Sequence, residues 1–197
     1  MLKDNNTTPF PVSESLEVQL TPTNSTSNID LEDVSNPLVP FEENKTVAVS
    51  NAHVSVFDVA AYILDRIGTI STIKLQKLVY YCQAWSLVWD DAPLFSEKIE
   101  AWVNGPVVRE LFTFHRGSFL MSSVPIGSIG RLSKTQKETI DAVIKYYGKK
   151  TGQELVDISH LEDPWQIARK GLKQDERGEN EISLESMAEY YLSISGK

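Results

Sequence analysis

From Ser55 onward apolar residues recur at helical spacing, and the breaks between recurrences divide the chain into elements. Val56, Ala60, Ile63, Leu64 and Ile67 make one stripe. Ser55 with Asp58 forms a capping box before it and Gly68 a stop after it, so the first helix is expected between them. A second helix starts at Ser71 or Thr72. Its residues Leu75, Leu78, Val79, Cys82, Trp85, Ser86 and Trp89 share one face, while Tyr80, Tyr81, Ala84, Leu87 and Val88 cover much of the rest. A helix apolar on most sides belongs at the centre of a core, with other elements packed around it.

The next block, Ile99 to Val103, suits a short strand, and Asn104, Gly105 and Pro106 suit a sharp turn. Pro106 is then expected to open a helix with Val107, Val108, Leu111, Phe112 and Phe114 on its apolar face and Arg109 and Glu110 pointing elsewhere. Gly105 has two readings: a turn only glycine tolerates, or a place where a partner approaches the backbone closely. Gly117, Pro125, Gly127 and Gly130 break residues 116 to 132 into a loop. Ser133 with Gln136 caps a helix bearing Ile140, Val143, Ile144 and Tyr147 that ends at Gly148. Thr151 with Glu154 repeats the device before Leu155 and Ile158. Asp163 followed by Pro164 and Trp165 reads as an N-cap with proline at the first helical position. Ser183 starts a last helix carrying Leu184, Met187, Tyr190 and Tyr191.

Residues 1 to 52 are different. Five of the nine prolines (Pro9, Pro11, Pro22, Pro37 and Pro40) lie there among Asn, Ser, Thr and acidic residues, so the segment cannot bury enough apolar surface to offset its ordering entropy. It is expected to be a disordered extension, with one globular domain over 53 to 197, since 197 residues of 41% hydrophobic content support one proper core. Leu16, Val18 and Leu20, and likewise Val47 and Val49, alternate with polar residues. They read either as docking strands or as chance alternation in a solvated tail. The Asn-x-Ser/Thr triplets at Asn6, Asn24 and Asn44 have no secretion signal to give them meaning.

Charge follows the same division. Of the formal −8, the first fifty residues hold −6, from Lys3 and Lys45 against Asp4, Glu14, Glu17, Asp30, Glu32, Asp33, Glu42 and Glu43. Such a front argues against nucleic-acid phosphate as its ligand. Between Arg131 and Lys150 the balance reverses to a local +4, read as a solvated helix face or as a site for an acidic ligand. Without a signal peptide or an apolar run of spanning length, and with a single cysteine, the chain is expected in the cytoplasm, away from membranes.

No residues converge on chemistry. Cys82 sits on the most apolar stripe, and His53, His115 and His160 are scattered, which makes neither a thiol–imidazole pair nor a zinc spacing. P-loop, dinucleotide-glycine, G-x-S-x-G and H-E-x-x-H patterns are all missing. The sequence therefore implies a non-enzymatic protein with no catalytic residue, metal or cofactor.

Three blocks in register resemble a known family: "KLQKLVYYCQAW" at 74–85, "EKIEAWVNGPVVRELF" at 97–112 and "SHLEDPWQIAR" at 159–169. They are similar to the SocA-like antitoxins, or Panacea domains, of bacteria and their phages. The resemblance implies a mainly helical domain with a small β element that is no enzyme and neutralises a toxin encoded beside it by direct binding. A proteolytic adaptor, delivering its partner to an ATP-dependent protease, is the alternative; a chaperone is a further expected partner class. Aromatic and arginine side chains beside tight turns are the usual carriers of interface energy. Trp102, Asn104, Gly105, Pro106 and Arg109 are accordingly expected to contact the partner, with Trp165 and Arg169 as a second patch. Trp102 and Trp165 have a competing reading as core, whereas both arginines are expected to be exposed.

Overall fold

The computed structural model describes residues 53–196, so the expected extension over residues 1–52, with its candidate docking motifs, lies outside the described residues. Within them the protein is mainly helical with a small β element, as the sequence implied. Helix α1 (Val56–Ile67) starts at the Ser55 capping box, where Ser55 N donates to Asp58 Oδ2 at 3.0 Å, and ends at Gly68 with φ +74°. Helix α2 (Thr72–Trp89) is capped by Ser71, whose hydroxyl accepts from Lys74 N. Fourteen of its 18 residues are buried, a burial no surface helix reaches, so α2 is the axis of the core. Around it pack α1, α4 (Lys134–Tyr147), α5 (Gly152–His160) and α7 (Leu184–Ile194). The capping boxes at Ser133 and Thr151 and the cap at Ser183 stand where the sequence placed them. Helix α6 (Asp163–Ala168) is one residue displaced: Glu162, not Asp163, is the N-cap, and Pro164 occupies the second helical position.

Aromatic side chains fill the seams. Tyr81 stacks on Tyr147 at 4.0 Å, and Trp85 meets Tyr191 edge-on at 5.2 Å and donates to the Tyr147 hydroxyl at 3.3 Å. This packing explains why a helix carrying two tyrosines, two tryptophans and a cysteine is internal: Tyr80, Tyr81 and Trp85 each meet a ring on another helix, and Trp89 stacks on Trp85. Cys82 is fully buried there, and burial pushes its thiol well above the ordinary range.

The sequence expectation fails at Pro106. Instead of opening a helix, it lies in a strand. Strands β2 (Ile99–Trp102) and β3 (Gly105–Val108) form an antiparallel hairpin in the register Ile99↔Val108 to Trp102↔Gly105, turning on Val103 and Asn104 alone. Helix α3 (Arg109–His115) begins only after Val108. The reason is pairing. β-branched Val107 and Val108 prefer the pleat, and the Pro106 carbonyl is taken by a donor from α2. Another two-stranded piece joins β1 (Ile70–Ser71) to β4 (Leu120–Met121) in the glycine-broken loop.

Polar residues of α2 hold the hairpin. Gln76 brackets Val108, accepting from its amide at 2.9 Å and donating to its carbonyl at 3.3 Å, while Lys77 Nζ donates to the Pro106 carbonyl at 2.9 Å. About two helix turns beyond Gln76, Gln83 fixes the Leu94–Phe95 loop through three such bonds. On the opposite edge of the hairpin, Ala101 N donates to Asn180 O and Ile182 N to Ile99 O, both at 2.8 Å. Both edges are thus covered and only the tip projects.

Candidate functional site

The hairpin tip is where the expected partner-binding residues gather. Trp102, half-buried, ends β2 and donates its indole N–H to Glu100 Oε2 at 2.7 Å. Arg109 closes on the same carboxylate with two hydrogen bonds, at 2.8 and 2.6 Å, reaches Glu179 at 2.9 Å, and lies 5.5 Å from the centre of the Trp102 ring. Burial alone would raise the Glu100 carboxyl, but the Arg109 and Trp102 donors outweigh it and hold it below the usual carboxylate range. Arg109 therefore remains partly exposed, yet it is already committed to an ion pair within the chain.

Trp165 and Arg169, the second expected patch, reach the same hairpin from the other side. Trp165 Nε1 donates to the Trp102 carbonyl at 3.0 Å, and Arg169 Nη1 to the Ala101 carbonyl at 3.1 Å. The two patches are one region. Arg169 was expected on the surface; it is buried, 6% exposed, with further donation to the carbonyls of Lys173, Gln174 and Glu176. Its role in the fold is to collect the backbone acceptors of the turn after α6, which helical spacing alone could not reveal. Trp165 is buried as well, at 9% exposure.

Gly105 and Pro106 are also buried. At φ +90° Gly105 holds a backbone that side chains avoid, and a Cβ there would stand 2.6 Å from Lys77 Cε and 2.7 Å from Ser159 Oγ. The close approach is real, but it is made by the chain's own lysine. Asn104, at the point of the turn, is exposed.

Two clefts flank this tip and share Val103 and Asn104 as their dividing ridge. One, of about 420 Å³, lies between α2, the hairpin and α3: Ile73, Trp102, Val103, Val107 and Phe112 give it a mostly apolar surface, and Lys77 is one of six polar residues that also line it. The other, of about 800 Å³, runs along α6 past His160, Trp165 and Arg169. His160 stacks on Trp165 at 4.1 Å, and its buried Nε2 has no hydrogen-bond partner among the described residues. Burial, and then the nearby Lys77, keep this imidazole below the ordinary histidine range.

Sequence reasoning missed Lys77 and Glu162. Lys77 is 1% exposed, and burial lowers its amine to about 7. A charged residue flanking the mostly apolar run from Leu78 to Val88 was the available signal. Glu162, 4% exposed, accepts from Tyr80, Tyr81 and Tyr191; burial pushes its carboxyl up to about 7 against the pull of those donors. No group of three or more metal-ligating side chains occurs among the described residues. No helix there is long and apolar enough to cross a membrane.

Residues 75–166 match the family model described as Antitoxin SocA-like, Panacea domain. That stretch, just under half of the chain, is similar to a SocA-like Panacea domain. The matched stretch runs from α2 into α6, so it includes the hairpin and walls of both clefts. No curated protein and no solved structure matches the chain. The Panacea match thus falls on the part of the molecule in which α2 side chains position the projecting hairpin.

Proposed function

We propose that this chain is the antitoxin of a bacterial or phage toxin–antitoxin system and neutralises a co-encoded toxin protein by direct binding in the cytoplasm, without catalysis. The observation that carries the reading is the Panacea match over 75–166, and the geometry supports it. A hairpin tip held rigidly by Gln76, Lys77, Trp165 and Arg169 projects between two clefts, which is the preorganised, aromatic-lined relief that a protein partner can engage at low entropic cost. On this reading Trp102, Asn104 and the partly exposed Arg109 face the toxin. Gly105, Pro106, Trp165 and Arg169 hold them in place.

The test is co-expression with the protein encoded by the adjacent open reading frame. Growth arrest by that protein alone, relieved by this chain in cells with and without their ATP-dependent proteases, supports direct neutralisation. Relief that requires a protease would make the chain an adaptor, and no relief would remove the reading.

A further inference from the structure

Lys77 is a buried cation-forming group without an acid. Its stem runs beneath Gly105 and its Nζ reaches one acceptor, the Pro106 carbonyl at 2.9 Å, whereas an ammonium carries three donors. The cleft that it lines holds no Asp or Glu among the described residues. The titratable groups lining it besides Lys77 are His115 from α3 and Arg177 at the rim; His160 of α5, in the other cleft, feels the charge of Lys77 and also that of Asp157. Both histidines are held below their ordinary range by burial, and Arg177 is exposed and paired to Glu179 at 2.7 Å. Among the described residues that line this cleft, every charge is therefore positive or absent. Buried charges in proteins are ordinarily paired, so the group lacking here is an anion.

We infer that the 420 Å³ cleft receives an acidic side chain of the bound partner, flanked by apolar partner surface, whose carboxylate completes the missing ion pair with Lys77. Ile73, Trp102, Val107 and Phe112 supply the apolar contact, and Lys77 supplies the one charge-assisted bond that selects for an acid. This deepens the antitoxin reading and rests on it for the identity of the partner. The chemistry belongs to the cleft itself. Because the free amine is lowered to about 7, an incoming carboxylate above that pH draws one proton from solution onto Lys77.

Phenylacetate, an apolar ring bearing a carboxylate, is the probe, with phenylacetamide as its uncharged match. The full chain carrying ¹³Cε-labelled lysine reports the Lys77 titration directly. Phenylacetate is expected to raise the Lys77 midpoint and to bind about tenfold more tightly than phenylacetamide at pH 7, the effect of one charge-assisted hydrogen bond. That preference should weaken as pH rises toward 9. Lys77→Met, which keeps the stem, should abolish the preference while leaving the folded spectrum intact. Equal binding of the two probes, or no binding and an unmoved Lys77 midpoint, would overturn the inference. Preference for phenylacetate in a chain that fails to bind the adjacent-gene protein would keep the carboxylate site and discard the antitoxin reading.

Discussion

Tyr191 donates a 2.8 Å hydrogen bond to Glu162 Oε2, joining the last helix to the start of α6 through two fully internal side chains. Tyr80 and Tyr81 donate to the same carboxylate at 3.2 and 3.3 Å. Three phenols around one acid fix where α6 begins, and α6 carries Trp165 to the hairpin. Tyr191→Phe should lower stability by about 1–2 kcal/mol, one buried hydrogen bond. Glu162→Ala should cost about 3 kcal/mol or more, since it strands three buried hydroxyls and opens a cavity. Urea denaturation of both variants checks the order.

The pH dependence has a definite shape. Glu162 is raised from 4.5 to about 7 in the folded protein, so between those values the native state binds the extra proton and stability falls as pH rises. Lys77 is lowered from 10.5 to about 7, so above 7 the unfolded state binds the extra proton and stability rises with pH. These two groups together place a stability minimum near pH 7. Denaturation midpoints across pH 5 to 9 should trace it, with Glu162→Gln flattening the acid limb and Lys77→Met the alkaline one. A monotonic wild-type profile unaltered by either substitution would contradict these assignments.

The two arginines separate what spacing can and cannot say. Arg109→Ala loses a partly exposed, solvent-screened ion pair and should change stability little. Arg169→Ala leaves four backbone carbonyls without their donor in a site 6% exposed, and should cost about 3 kcal/mol. Thermal melts of the pair should differ by several degrees in that order. Equal melting temperatures would mean that the turn after α6 finds its donors elsewhere.

Helix starts were legible because capping is local: Ser55, Ser133, Thr151 and Ser183 each bond within three residues of themselves. The core position of α2 was legible from its all-round apolarity. The first strand and turn of the hairpin were legible, but its second strand was not, because it is held by Gln76 and Lys77, some thirty residues upstream, and no pattern around Pro106 records those partners. Arg169 and Glu162 escaped for the same reason. Their partners are backbone carbonyls and phenols that only the tertiary fold brings close. The expected contact residues do gather at one hairpin, but the sequence could not tell a buried residue such as Arg169 from an exposed one such as Asn104.

Gly105→Ala tests the support directly. A side chain at φ +90° costs about 1–2 kcal/mol, and the new methyl must also displace Lys77 Cε and Ser159 Oγ. A loss of about 2–4 kcal/mol is expected, and Lys77→Ala in the same chain should recover part of it, a coupling that a double-mutant cycle measures. Strictly additive effects would show that the clash is relieved without Lys77.

Asn104 is exposed at the tip between both clefts, with a backbone any residue can adopt, so it can be changed without touching the fold. Calorimetric titration of the purified adjacent-gene protein into the wild-type chain and into Asn104→Arg bears most directly on toxin neutralisation through this hairpin. The wild type should bind, and Asn104→Arg should melt at the wild-type temperature while binding at least about tenfold more weakly, the loss of one interface hot spot. Wild-type affinity in Asn104→Arg, or no heat of binding in the wild type, would contradict the account.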